Sequence, residues 1–235
     1  MSIRDHRFLI AIHPAPRYIP AMSKPDFIRA RTPEAKAKRR AAILSATRTL
    51  LAQGGLEQTT LSAIATEAGT TKSNIYRYFE SREEILMRVL TEDLRHTNAT
   101  LTQALTAPKP LPEVAAMLAT SLAANPQLCL LISITASTLE HNISTDTLRE
   151  IKHDMIGSLE TTAKALRIAI PSFSQEQTEA AVQMLWTQTI GLWPHCTPGP
   201  ALKTLYEEPD FTRFNQDFGE MLTFSIHIML KGLAD

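Results

Sequence analysis

Between Thr70 and Leu86 the chain reads TTKSNIYRYFESREEIL. Five small or flexible polar side chains, Thr70, Thr71, Lys72, Ser73 and Asn74, lead directly into Tyr76, Tyr78 and Phe79. Ammonium, amide and hydroxyl groups in such a run suit hydrogen bonding to a polyanion rather than catalysis. Lys72 can donate to guanine O6 and N7, and Asn74 can bond adenine N6 and N7 as a bidentate pair. Tyrosine hydroxyls suit phosphate oxygens, contacts that position a protein without specifying sequence. Ile75 and Phe79, four apart, face the other way and need a core. The competing reading of Tyr76 and Tyr78 is that both are partly buried aromatics with satisfied hydroxyls.

The flanking pattern supplies elements to hold those groups. A first helix is predicted from about Thr32 to Gln53, with Pro33 in its first turn and an apolar face of Ile43, Ala46, Thr47, Leu50 and Leu51. Gly54 and Gly55 end it. A second, short helix follows the N-cap Thr60, buries Leu61, Ile64, Ala65 and Ala68, and stops at Gly69. A third runs from Thr70 or Thr71 to about Phe79. Ser81 and Glu84 form a capping box that opens a long fourth helix to about Leu105. Two short helices across a glycine turn, braced by a first helix, make a helix-turn-helix unit, in which the second helix presents its N-terminal residues to the major groove.

The same stretch resembles the signature of the TetR (tetracycline-repressor) family of bacterial transcription regulators. The matching features are the Ala68-Gly69 turn, the polar start Thr71 to Asn74, the run Ile75-Tyr76-Arg77-Tyr78-Phe79, and Ser81-Arg82-Glu83-Glu84-Ile85. The resemblance implies that Lys72, Ser73 and Asn74, next to Thr71, read bases. It implies that Thr60, Tyr76, Tyr78 and Arg82 hold phosphates, with Arg39 and Arg40 touching the backbone. Glu80 departs from the family pattern, placing an acid beside the phosphate-facing end.

Charge agrees with a polyanion partner for the N-terminal part. The chain carries 24 Lys+Arg and 24 Asp+Glu, yet residues 1–95 hold a balance of +6 and residues 96–235 one of −6. Arg29, Arg31, Lys36, Lys38, Arg39 and Arg40 fall within twelve residues. Residues 1–31 are expected to be a flexible basic extension, or residues 1–21 to lie upstream of a working initiator at Met22. Cys129 and Cys196 share no metal or redox spacing, which fits a reducing compartment without disulfides. His195-Cys196 is read as a loop accident, and no metal or cofactor is expected. The longest apolar run, Leu128 to Ile134, is far short of the roughly 18 residues that span a bilayer, so a cytoplasmic location is expected.

Beyond a proline-rich break at residues 107–112, helices are predicted near 112–124, 126–141 and 145–169, then from a second capping box at Ser174 and Gln177 to about Trp193. Residues 194–209 read as a loop, and a last helix as spanning about Asp210 to Leu233. That helix has one stripe of Phe211, Phe214, Phe218, Met221 and Ile228, and another of Leu222, Ile226, Met229 and Leu233. Apolar faces on two sides suggest a partner subunit on one; the alternative is ordinary monomer core.

The expected fold is therefore all-α. A helix-turn-helix domain over 32–90 is joined by a long helix to a helical domain over 91–235 that binds an effector and dimerises. The family resemblance places the effector among the middle helices, near Met117, Leu122, Cys129, Ile132, Met155, Leu159, Met184, Trp186 and Trp193. Glu140, His141 and Asn142, at a helix end beside that wall, are candidate polar anchors. The resemblance implies a homodimer that binds a palindromic operator and is released by a small molecule. The rival class is a small helical enzyme or ligand carrier, although no HExxH, Walker A or GxSxG motif occurs.

Overall fold

The computed structural model describes residues 32–235, and all of its regular elements are helical. The basic residues Arg29 and Arg31 and the reading of Met22 lie outside the described residues. Helix α1 (Pro33–Gln58) starts at Thr32, whose hydroxyl accepts from the Ala35 amide. It buries Ile43, Leu44, Ala46, Thr47 and Leu51 and kinks at Gly55, whose φ of +63° is one that a side-chain-bearing residue adopts with strain. The kink lies where the glycine pair predicts a stop, but one more turn follows it before Thr59. Helix α2 (Leu61–Glu67) is capped by Thr60 and ends at Gly69, whose φ of +59° lets the Thr70 amide close onto the Ala65 carbonyl at 2.8 Å.

Helix α3 (Lys72–Ile75) is shorter than expected. It gives way to a turn over residues 76–78, with the Tyr78 and Phe79 amides both closing onto the Ile75 carbonyl. Helix α4 (Arg82–Ala104) begins as predicted at Ser81, which accepts from the Glu84 amide at 3.0 Å. The Glu84 carboxylate, however, reaches past Ser81 to the Glu80 amide at 2.7 Å, so the capping box is not closed on Ser81 itself.

The remaining helices are α5 (Leu111–Ala123), α6 (Pro126–Ile134), α7 (Thr145–Ala169), α8 (Gln175–Cys196), α9 (Pro200–Leu205) and α10 (Phe218–Ala234). Three boundaries differ from the sequence expectation. The helix predicted to 141 stops at Ile134, because small and β-branched Thr135, Ser137 and Thr138 lead into a 3-10 turn over Leu139–Asn142. Helix α8 runs on to Cys196, carrying Pro194 in its last turn, and α9 occupies part of the presumed loop. Helix α10 starts eight residues later than predicted: Asp217 caps it by accepting from the Glu220 amide at 2.9 Å. Phe211 and Phe214 therefore lie outside the last helix. The capping box of Ser174 and Gln177 is reciprocal, as expected.

A continuous apolar core runs through both halves, from Ile43 and Ile64 through Ile85 and Leu90 to Leu185, Leu222 and Leu230. Burying each such side chain contributes roughly 1.5–3 kcal/mol. Helix α4 packs on α1 on one side and on α7 on the other, α5 lies against α10, and α8 meets α6, α7 and α10. Inside this core Asn98 clamps α4 to α7. Its amide donates to the Ser158 carbonyl at 2.8 Å and its carbonyl accepts from the Thr162 hydroxyl at 2.9 Å. Among the described residues no single helix is long and apolar enough to cross a membrane.

Candidate nucleic-acid interface and effector cavity

Positioning of the recognition segment follows from what is buried beneath it. Ile75 and Phe79 are almost completely enclosed, which turns the opposite side of α3 outward. Thr71 is the N-cap, its hydroxyl accepting from the Asn74 amide at 3.2 Å. Lys72 and Ser73 are exposed beside it, and Tyr76 is 56% exposed despite its aromatic ring. A tyrosine held that far out of the core leaves its hydroxyl open to an external acceptor. Arg77, unassigned in the sequence reading, is also exposed and adds a cation to this surface. The signal for it was present: it stands between the two tyrosines, on the side away from Ile75.

Other predicted contacts are committed to the protein itself. The Asn74 side-chain amide donates one of its two N–H groups to the Thr70 hydroxyl at 2.7 Å and is half-buried, so only its carbonyl oxygen and second N–H are left for a base edge. Tyr78 is half-buried, its ring packed against the core. Arg40 donates to the Tyr78 carbonyl and lies 4.3 Å above the Phe79 ring, which makes it a brace from α1 to the recognition turn. Arg82 donates to the carbonyls of Thr59 and Leu56, each at 2.6 Å, satisfying the open end of α1 rather than reaching outward. Arg39 is half-exposed on α1, and Thr60 is exposed at the start of α2.

Glu80 has an unexpected partner. Its carboxylate accepts from the Ser144 amide at 2.6 Å, at the N-terminus of α7, where the helix dipole favours negative charge. The acid that departs from the family pattern thus ties the recognition turn to the C-terminal half. Nearby, Arg88 on α4 bonds Glu84 at 3.4 Å and Glu150 of α7 at 3.0 Å.

In the C-terminal half, α4, α5, α6, α7 and α8 enclose a cavity of about 30 Å³, little more than one water. Four of the predicted pocket residues line it: Leu122, Ile132, Leu159 and Trp186. Thr97, Asn98, Leu101, Thr162, Val182 and Thr189, which the sequence reading did not select, complete much of the wall. Met117 instead lines an open groove of about 580 Å³ between α4 and α5, together with His96, Thr97, Leu101 and Glu113. Thr97 and Leu101 stand between groove and cavity.

The other predicted pocket residues lie elsewhere. Cys129 is fully buried, its thiol donating to the Leu122 carbonyl at 3.2 Å, and burial pushes its pKa up to about 12. Met155 is enclosed in the core of α7, outside the cavity lining. Met184 is 44% exposed on the outer side of α8: it lies two residues from Trp186, so the two side chains point to opposite sides of the helix. Trp193 packs edge-on to Phe218 at 5.0 Å. His141 and Asn142 are exposed in the 3-10 turn, and Glu140 pairs with Lys152. His195 is exposed, and the half-buried Cys196 has its thiol pKa raised by burial and by Asp217. Among the described residues no group of three potential metal ligands comes together.

Helix α10 buries Phe218, Leu222, Ile226, Met229 and Leu230. Its outer side carries Phe224 and Ile228, 64% and 55% exposed, which with His227, Ala123 and Ala124 border an open hollow between α5 and α10. Phe224 belongs to neither predicted stripe, although it falls three residues after Met221 and four before Ile228.

Comparison with known proteins matches the chain in two parts. Residues 43–89 match the family described as "Bacterial regulatory proteins, tetR family", and residues 87–235 match "Tetracyclin repressor-like, C-terminal domain". The uncharacterized HTH-type transcriptional regulator YfiR of Bacillus subtilis is 38% identical over 63 residues, 27% of this chain and 31% of that protein. The chain thus matches under a third of that curated relative's length. Among solved structures, a possible TetR family regulator from Streptomyces coelicolor superposes with a TM-score of 0.54 at 21% identity, covering 83% of this chain and 98% of the other. The fatty acid degradation regulator FadR of Bacillus halodurans gives 0.51 at 21% identity, covering 83% and 95%. Thermus thermophilus FadR, solved with lauroyl-CoA, gives 0.53 at 16%, covering 82% and 94%. With one family profile matching the helix-turn-helix segment and the other the whole C-terminal half, the chain belongs to the TetR family and is a transcriptional regulator.

Proposed function

We propose that this regulator is a cytoplasmic repressor that binds a palindromic operator as a homodimer and is released when a small apolar molecule enters its C-terminal half. The observation that carries the DNA-binding reading is the outward presentation of Thr71, Lys72, Ser73, Tyr76 and Arg77 above the enclosed Ile75 and Phe79. In this reading Lys72 and Ser73 contact base edges at the N-terminus of α3. Thr60, Tyr76 and Arg77 hold phosphates, Arg39 adds backbone attraction, and Arg40 and Arg82 keep the segment in place. Dimerisation uses α8 and α10, whose outer sides carry Met184, Phe224 and Ile228. Large apolar groups on a long surface helix gain most when a second subunit covers them.

The effector reading rests on the cavity walled by Leu94, Leu101, Leu122, Ile132, Val182 and Leu185. Such walls suit an acyl chain, the ligand type held by the Thermus thermophilus FadR and by Bacillus subtilis FadR, solved with stearoyl-CoA. At about 30 Å³ the cavity has to widen to admit one, so occupancy and helix displacement are a single event. A ligand that binds only the widened state shifts the population towards it.

Footprinting of the DNA flanking the gene tests this reading. The expected result is protection of two half-sites whose centres lie about 34–36 Å apart, or a multiple of that spacing, by two chains per site. Absence of any protected palindromic site at moderate salt overturns it.

A further inference from the structure

We infer that Glu80 is the positioning residue through which the effector cavity acts on the recognition segment, with α7 as the lever. The inference rests on the ligand-release reading and deepens it. Helix α7 walls the cavity through Leu159 and Thr162, and its N-terminal Ser144 donates its amide to the Glu80 carboxylate at 2.6 Å. A straight helix rises about 1.5 Å per residue, so its cavity end and its tethered end lie some 22–27 Å apart on one rigid element. At the cavity end itself, Asn98 of α4 holds Ser158 and Thr162, so a displacement there loads this contact first and carries α7 with it.

Glu80 is suited to transmit a displacement because it is held from both sides. Its amide donates to Glu84 at 2.7 Å, and its neighbour Phe79 is buried beneath α3. The peptide connecting the turn to α4 therefore cannot yield without moving Phe79 or breaking the Glu84 bond. A shift of Ser144 pulls on the recognition turn directly. Another link between the halves, from Gln127 to the Arg48 carbonyl at 3.2 Å, reaches α1 and leaves the recognition turn alone. Arg88, bonded to both Glu84 and Glu150, holds α7 close to the same turn.

A wedge built into the cavity from α8 replaces the unidentified effector in the test. Thr189 is 1% exposed on the cavity wall, and Thr189→Phe adds far more volume than the space there holds. Operator affinity is measured for the full-length protein with and without this wedge, in the wild-type, Glu80→Ala and Glu80→Gln backgrounds. Glutamine retains an acceptor for the Ser144 amide but not the charge, which separates the tether from any effect of removing an acid near DNA. The wedge is expected to weaken operator binding about tenfold in the wild-type and Glu80→Gln proteins, and less than about threefold in Glu80→Ala. Equal losses in all three backgrounds, or no loss in any, overturn the inference. A cooperative melting transition is required of each protein, and Thr189→Leu serves as the smaller wedge where the phenylalanine variant does not fold. Failure of the unwedged wild type to bind an operator at all would instead count against the proposed function.

Discussion

The recognition turn and the effector cavity use polar residues in opposite ways. On α3 and the turn after it, the buried groups are few and apolar, and Lys72, Ser73, Tyr76 and Arg77 are left facing solvent. Around the cavity, polar groups turn inward and bond one another: Asn98 joins Ser158 to Thr162, and Thr189 returns its hydroxyl to the Leu185 carbonyl. A surface that must meet a partner keeps its hydrogen-bonding capacity unspent. The interior around the cavity holds its polar groups satisfied, because unpaired buried groups cost about 1–3 kcal/mol each. Glu80 and Arg88 join the two regions without belonging to either.

The largest effect is expected from removing the support beneath the exposed surface. Ile75→Ala should cost about 2–5 kcal/mol of stability, seen as a lowered melting temperature, and should weaken operator binding although Ile75 touches no DNA in this account. Next in size is Phe224→Asp on the outer side of α10. Truncating a central interface aromatic typically costs at least about 2 kcal/mol, so this variant should sediment as a monomer while its folded core melts much as before. A dimer that persists would move the interface elsewhere. Arg82→Met keeps the stem but orphans the carbonyls of Thr59 and Leu56, at about 1–3 kcal/mol, with Arg82→Lys a partial rescue. If Arg82→Met left stability untouched and only weakened DNA binding, Arg82 would return to the phosphate contacts that the family resemblance implies.

The smallest effect concerns the cysteines. Burial holds the Cys129 thiol at about 12, so at about pH 8 an aromatic disulfide reagent should modify Cys196 in the native protein and Cys129 only after unfolding. An apolar molecule that opens the cavity, whose wall residue Leu122 accepts the Cys129 hydrogen bond, should accelerate modification of Cys129.

Local signals made the N-terminal unit legible. Thr60, Thr71 and Ser81 cap their helices because a hydroxyl before a run of free amides is a short-range requirement. Gly55 and Gly69 both take left-handed conformations at the predicted breaks. What the sequence could not show is which polar group finds a distant partner: Arg82 meets carbonyls 23 and 26 residues away, and Glu80 an amide 64 residues on. The last helix starts later than its apolar period for a different reason. Phe211, Phe214 and Phe218 continue a helical period through residues that are not part of α10, whereas the local signal that starts it is the cap Asp217 ahead of Glu220. In the cavity the limit is geometric. Met184 and Trp186 look equally suitable in sequence, but a helix can turn only one of two such neighbours inward.

Operator affinity as a function of salt decides whether the outward side of α3 holds DNA, with the wild type and Lys72→Ala compared on the same palindromic site. Wild-type affinity should fall linearly on logarithmic axes as counterions are released, with a slope reflecting several neutralised phosphates. Lys72→Ala, which loses a base-edge contact, should bind the operator more weakly by about 1–3 kcal/mol and discriminate less against an altered base pair, with the salt slope little changed. Affinity that is independent of salt, or a Lys72→Ala protein that binds as tightly as the wild type, would contradict DNA binding through this side of α3.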